Sequence, residues 1–181
     1  MGDRWQPSNL MRSTYVWLPL EVAEDDDTGI WLTNRAGWVP DAASRTWAIG
    51  PTENQYEGEE ATLGNGAKAV ACSGCSGGLA AGFVGGEDGG SVELAGVRSD
   101  ETTRTTVRLR YANGNSGERH GVVTVNGVAQ EVAFLPTEDG QTPGSSAVHC
   151  DLATGEGNTI VIEGLDGGYA ADIDQVIVPV S

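Results

Sequence analysis

Apolar and polar residues alternate with a period of two through much of the chain beyond residue 90. Within 105–111, Val107, Leu109 and Tyr111 fall on one face and Thr106, Arg108 and Arg110 on the other. That is the pattern of a strand buried on one side. Residues 122–125 and 128–134 flank Asn126-Gly127. Asn-Gly supplies the two positive φ angles of a tight I′ turn, so this stretch predicts a hairpin. Residues 91–94, 159–163 and 173–178 predict further strands. No 3.6-residue period of helical length stands out. Short strands separated by turn signals predict an all-β sandwich.

The first fifty residues read differently. Strand-like runs occur at 13–20 and 29–32, with the acidic run Glu24-Asp25-Asp26-Asp27 between them. That run lacks the spaced ligands and the glycine of a calcium loop, and reads as a solvated turn. All five tryptophans, Trp5, Trp17, Trp31, Trp38 and Trp47, lie before residue 51. This break in composition divides the chain into 1–50, a connector at 51–55, and 56–181. Fifty residues bury too little surface to make a good independent domain. The first segment therefore reads as a piece of something larger.

Composition narrows the function classes. The 181 residues include 27 glycines, which suits short strands and tight turns. A net charge of −16, from 26 acidic and 10 basic residues, repels phosphate backbones and argues against nucleic acid. It suits a hard cation or a neutral sugar polymer. No run approaches the roughly 20 apolar residues of a membrane span. No signal peptide opens the sequence, so a secreted protein would have a different natural start. The expected state is a monomer.

Reactive-looking groups make no complete active site. Cys72-Ser73-Gly74-Cys75 lacks the second ligand pair that zinc needs. It also lacks the βαβ setting of a redox motif. A disulfide within the pair, or from either cysteine to Cys150, fits a secreted chain. His149 and Cys150 are neighbours on a strand and so point to opposite faces. His120 is the other candidate base. The glycine-rich 82–86 lacks the lysine and hydroxyl of a phosphate loop. The carboxylates are more promising. Glu57 and Glu59 share one side of a strand, as do Asp172 and Asp174 near the other end. First and last strands of a sandwich are often neighbours, so these acids would converge and repel unless a cation intervenes. Calcium takes six to eight oxygens, and 76–78 could add carbonyls to Glu57, Glu59 and Asp174.

Tyr56-Glu57-Gly58-Glu59-Glu60-Ala61, Arg110-Tyr111-Ala112-Asn113-Gly114, Val125-Asn126-Gly127 and Asp172-Ile173-Asp174 resemble, in order and spacing, the landmarks of carbohydrate-binding module families 35 and 6. The match covers roughly 54–180. It is similar to fungal members in particular, which share the Cys-Ser-Gly-Cys-Ser-Gly-Gly segment. The resemblance implies a β-jelly roll with structural Ca²⁺ on Glu57, Glu59 and Asp174. It implies a sugar site in edge loops that includes Asn113. Tyr111 lies beside it, either as a ligand contact or as a core residue. Tyr169 and Asp172 are added from the loop at the same edge, because rings stack on sugars and planar polar groups pair with hydroxyls. Many members carry a tryptophan in the loop after the hairpin; 136–143 has no aromatic here.

Gly2-Asp3-Arg4-Trp5 and Tyr15-Val16-Trp17-Leu18-Pro19-Leu20 resemble the end of a glycoside hydrolase family 43 catalytic domain of the exo-β-1,3-galactanase group, a five-bladed propeller. This implies a partial propeller tail without its catalytic carboxylates; nothing marks Asp3 as one. The expected function is non-catalytic binding of a galactan-type or related plant polysaccharide, or an oligosaccharide of it, for an attached hydrolase outside the cell. The alternative is a fragment of the galactanase itself.

Overall fold

The computed structural model describes residues 2–4, 14–22, 29–32, 37–50 and 52–180, and only the backbone at 2–4, 14–16 and Trp31. The chain forms two compact units, Met1–Thr52 and Glu53–Ser181.

In the first unit, strands pair two by two, all antiparallel: β1 (Gly2–Arg4) with β2 (Thr14–Val16), β3 (Leu20–Val22) with β4 (Ile30–Leu32), and β5 (Trp38–Asp41) with β6 (Thr46–Ile49). The strand expected over 13–20 is two pieces, since residues 17–19, which include Pro19, are not in a strand. Proline has no N–H to give a ladder. Trp38 Nε1 donates to the Trp17 carbonyl at 3.0 Å. The acidic run 24–27 and Trp5 lie outside the described residues.

The second unit is an all-β sandwich of the jelly-roll type. Its strands are β7 (Thr52–Glu57), β8 (Thr62–Gly64), β9 (Lys68–Ala71), β10 (Leu79–Gly82), β11 (Ser91–Ser99), β12 (Thr103–Ala112), β13 (Arg119–Val125), β14 (Val128–Phe134), β15 (Gly144–Leu152), β16 (Gly155–Gly164) and β17 (Asp172–Val180). One sheet runs β15-β12-β17-β10-β9, with β7 also on β17; the other runs β14-β13-β16-β11-β8. From β8 onward the chain passes repeatedly from one sheet to the other, which ties the two layers together.

Alternation places the core between the sheets. Val107, Leu109 and Tyr111 of β12 meet Val123 and Val125 of β13, Phe134 of β14, and Ile160 and Ile162 of β16 in one buried cluster. Tyr111 and Phe134 pack edge-to-face with centroids 4.9 Å apart. The β13–β14 hairpin turns at Asn126 (φ 49°) and Gly127 (φ 83°), as Asn-Gly predicts.

The expected connector at 51–55 takes another form, because Thr52–Glu57 is a strand. Its alternate residues are held across the sheet. Glu53 pairs with Arg108 at 2.7 Å, and Gln175 Nε2 donates to Gln55 Oε1 at 3.4 Å and to Glu57 Oε1 at 2.8 Å. Gly50-Pro51 and the break in composition suggest a connector here, but the polar groups of Glu53, Gln55 and Glu57 have partners on β12 and β17.

Candidate functional site

Two clusters stand out in the second unit, one of acids on the outer side of the six-stranded sheet and one of loops at an end of the sandwich.

Asp174 lies at an irregularity of β17. Tyr111 pairs with Ile173 and Arg110 with Gln175, so β17 carries one extra residue, a β-bulge. The bulge lets both Asp174 and Gln175 reach the same polar cluster. Asp174 is 0% exposed. Its Oδ1 accepts from the Ser76 N–H at 2.8 Å, while Glu57 Oε1 accepts from Ser76 Oγ at 2.9 Å. Glu59 sits in the turn that follows β7, where the Gly58 N–H donates to the Asp174 carbonyl at 2.7 Å. A Cβ on Gly58 would collide with the Ile173 carbonyl, so the backbones touch here.

The electrostatics of this cluster are unbalanced. Burial first, and then the charges of Glu57, Asp174 and Glu60, push the Glu59 carboxyl up, against a lowering backbone hydrogen bond. Burial raises Asp174 as well, against the lowering Ser76 N–H and Arg110, with Glu57 adding to the rise. Glu57 Oε2, Glu59 Oε2 and Asp174 Oδ2 are buried without a hydrogen bond. Arg110 Nε approaches Asp174 Oδ2 at 2.9 Å as an ion pair lacking hydrogen-bond alignment. Two orphaned carboxylate oxygens, from β7 and its turn, and a third on β17 held only by the Arg110 charge, fit an oxygen-loving cation. Among the described residues, no three acidic, histidine or cysteine side chains close into a ready-made metal cage.

The loops leaving β10, β12 and β16 meet at one end of the sandwich. Tyr169 pairs with Gly85 by a β-bridge, and the Ala170 N–H donates to the Val84 carbonyl at 2.9 Å. The Tyr169 ring is 48% exposed and lies where a Cβ on Gly86 would be. Beside it opens a depression of about 440 Å³ lined by Asn115, Glu118, Arg119, His120 and Asp166. Arg119 Nη1 donates to the Ala170 carbonyl at 3.0 Å. With its amide oriented to satisfy both groups, Asn115 Oδ1 accepts from Arg119 Nε at 3.0 Å and Nη2 at 3.2 Å. Asp172 is half-buried at the start of β17. Burial raises its carboxyl and the Arg119 charge lowers it. Asp172 Oδ1 lies 3.2 Å from where a Cβ on Gly82 would sit, next to Phe83.

Asn113 and Tyr111 occupy other roles. Asn113 is 0% exposed: its Nδ2 donates to the Phe134 carbonyl at 2.9 Å and the Gly117 carbonyl at 3.1 Å, and its Oδ1 accepts from the Asn115 N–H at 3.1 Å. It shapes the loop from beneath and offers no surface to a ligand. Tyr111 is 2% exposed and belongs to the core. Sequence reasoning missed Phe83 and Arg119. Phe83 is 48% exposed with φ 60°, and Lys68 Nζ stands 4.4 Å from its ring centroid. A large aromatic between Gly82 and Val84 is the signal that the sequence offers for it.

Cys72 and Cys75 form a disulfide, and Cys150 is free and buried, its thiol pushed up by burial and by the Asp151 charge. His149 Nδ1 is 2.8 Å from Thr106 Oγ1, on the opposite face of β15 from Cys150. Among the described residues, no helix is long and apolar enough to cross a membrane.

This sandwich resembles carbohydrate-binding modules of known structure. A family model described as CBM13-like, the CBM13 domain of alpha-galactosidase, matches residues 91–176. Solved structures align over more of the unit and belong to family 35. A family 35 module from Clostridium thermocellum is 28% identical, covering 69% of this chain and 98% of the module at a TM-score of 0.63. A family 35 module from Cellvibrio japonicus, 20% identical with a TM-score of 0.58, shares the fold. The second unit shares the fold of these family 35 modules. The exo-β-1,3-galactanase of Phanerochaete chrysosporium, solved with galactose, is 32% identical over 97% of this chain at a TM-score of 0.74. This chain spans 40% of that enzyme's length. No curated protein matches the sequence.

Proposed function

We propose that the second unit holds a galactan-type polysaccharide or oligosaccharide at the Phe83–Tyr169 edge, without catalysis, for a glycoside hydrolase in the same polypeptide. The observation that carries this reading is the half-exposed Tyr169 ring, standing beside a depression whose walls are Asn115, Arg119 and acids. A pyranose has an apolar face to stack on a ring and a rim of hydroxyls for planar polar groups. Phe83 gives a second ring, and Asp172 with Arg119 gives an acceptor and a donor nearby. The similarity to an enzyme solved with galactose supports galactose as the sugar. The site is open, so single-site binding is weak, and linkage to a hydrolase makes weak binding useful by raising local concentration.

The same proposal takes Glu57, Glu59 and Asp174 as ligands of a structural Ca²⁺. The buried oxygens Glu57 Oε2, Glu59 Oε2 and Asp174 Oδ2, none of them hydrogen-bonded, support it. Calcium would compensate the buried carboxylates, which burial first and neighbouring acids second raise, and would tie β7 to β17. It takes residues 56–181 as the module and 1–50 as the end of a family 43 catalytic domain, in a secreted, monomeric protein. The 97% coverage of this chain by the galactanase favours that arrangement. The second reading, that the chain is part of an exo-β-1,3-galactanase, rests on the same alignment, and the catalysis then belongs to the part of the enzyme that this chain does not span.

Isothermal calorimetry of the full chain with β-1,3-galactooligosaccharides tests the sugar reading. Tyr169→Ala is expected to weaken binding about tenfold or more, the scale of one lost aromatic contact, with the melting temperature nearly unchanged. No heat with any galactose-containing glycan contradicts it.

A further inference from the structure

The segment 72–78 follows β9 and doubles back into β10. It is closed by the Cys72–Cys75 disulfide and by three backbone hydrogen bonds: Cys75 N–H to the Cys72 carbonyl at 3.0 Å, Gly78 N–H to the Cys75 carbonyl at 3.2 Å, and Cys72 N–H to the Gly78 carbonyl at 2.9 Å. The disulfide is buried against Ala80 and Ala112 in a small cluster separate from the main core. The residues directly after Cys75 face all three acids. Ser76 donates its N–H to Asp174 and its hydroxyl to Glu57, and the Cβ position of Gly77 lies 3.6 Å from Glu59 Oε1. The other side of the segment is tied down as well. Gln141 Oε1 accepts from the Ser73 N–H at 2.7 Å, and Arg110 Nη2 donates to the Gly74 carbonyl at 3.3 Å.

We propose that the Cys72–Cys75 disulfide and Ser76 form a positioning latch for the cation site, holding Glu57 and Asp174 beside Glu59 so that the three carboxylates have less far to move when the ion arrives. This rests on the ion reading above. The physical reason is preorganisation. Three like charges from distant parts of the chain separate when free to do so, and a ligand then has to restore their geometry at a cost in affinity. A crosslink that fixes the residue before Ser76 keeps two of its donors aimed at two different carboxylates. Gly77, with φ 60°, lets the chain turn past Glu59. The latch explains why a four-residue disulfide loop sits on this sheet, although so short a loop removes little chain entropy from the unfolded state.

The test is calorimetric titration of calcium chloride into chelator-stripped full-length chain, comparing wild type with Cys72→Ala/Cys75→Ala, Ser76→Ala and Ser76→Thr. The latch predicts that wild type binds one ion in this unit. It predicts that the double alanine variant and Ser76→Ala bind about tenfold more weakly, and that Ser76→Thr, which keeps the hydroxyl, returns close to wild type. Melting temperatures in excess chelator separate positioning from folding, since positioning predicts that Ser76→Ala matches wild type there and differs only with calcium present. Unchanged calcium affinity in both Ser76→Ala and the double variant overturns the latch while leaving the ion site standing. Failure of wild type to bind calcium overturns both.

Discussion

At the scale of single residues, Asn113, one of four residues that sequence patterns assign to sugar contact, is buried, whereas Phe83 is half-exposed. Asn113 spends both polar ends inside the protein, on Phe134, Gly117 and Asn115. Asn113→Ala leaves two carbonyls and an N–H without partners, and urea unfolding is expected to show a loss of about 2–3 kcal/mol. Phe83→Ala removes a half-exposed ring, so stability is expected to change by under about 1 kcal/mol while glycan affinity falls about tenfold. Equal effects of both variants on stability would contradict this division. The Tyr-Ala-Asn-Gly motif was visible in the sequence. What its asparagine bonds to was not, because the partners sit 4 and 21 residues away across a fold that local pattern does not encode. Arg119 was hidden for the same reason, since nothing local joins it to Ala170 or Asp172.

At the scale of elements, alternation is legible where one face of a long strand is buried. β12, β13, β14 and β16 announce themselves that way, whereas β17, buried on both faces, reads in its second half as a nearly continuous apolar run. In β15, Val148, Cys150 and Leu152 alternate inward, so the strand that the sequence suggests at His149-Cys150 extends over Gly144–Leu152. β8, β9 and β10 are three or four residues long and rich in glycine and alanine, too short to show a period. Turn chemistry separates two kinds of glycine. At Gly127 a Cβ meets nothing within 4 Å, and only φ 83° resists a side chain. Gly127→Ala is expected to cost about 1 kcal/mol in urea unfolding and to leave binding alone. At Gly58 a Cβ strikes the Ile173 carbonyl, so Gly58→Ala is expected to cost more than about 2 kcal/mol, measured the same way. Similar costs for the two would mean that the approach of the Gly58 turn to β17 is looser than described. The bulge at Asp174 is the feature that strict alternation could not foresee. It turns Asp174 and Gln175 to a common cluster.

At the scale of the molecule, two units with different surfaces share the chain. In the first, Trp17, Val22, Ile30, Leu32, Val39 and Ile49 are exposed. That supports the proposal that this unit is part of a larger body. In the second, the apolar residues are mostly inside, and exposed aromatic surface is concentrated at Phe83 and Tyr169. The acidic balance leaves both a hard cation and a neutral sugar open as partners, and the proposed function assigns one cluster to each. The central claim is that a saccharide is gripped at this edge and nowhere else on the sandwich. The direct measurement is a two-dimensional amide NMR titration of the full chain with a β-1,3-galactooligosaccharide. The account predicts concentration-dependent shifts confined to 82–86, 115–120 and 165–172. Shifts centred on the exposed faces of the sheets, or no shifts at millimolar sugar, would contradict it.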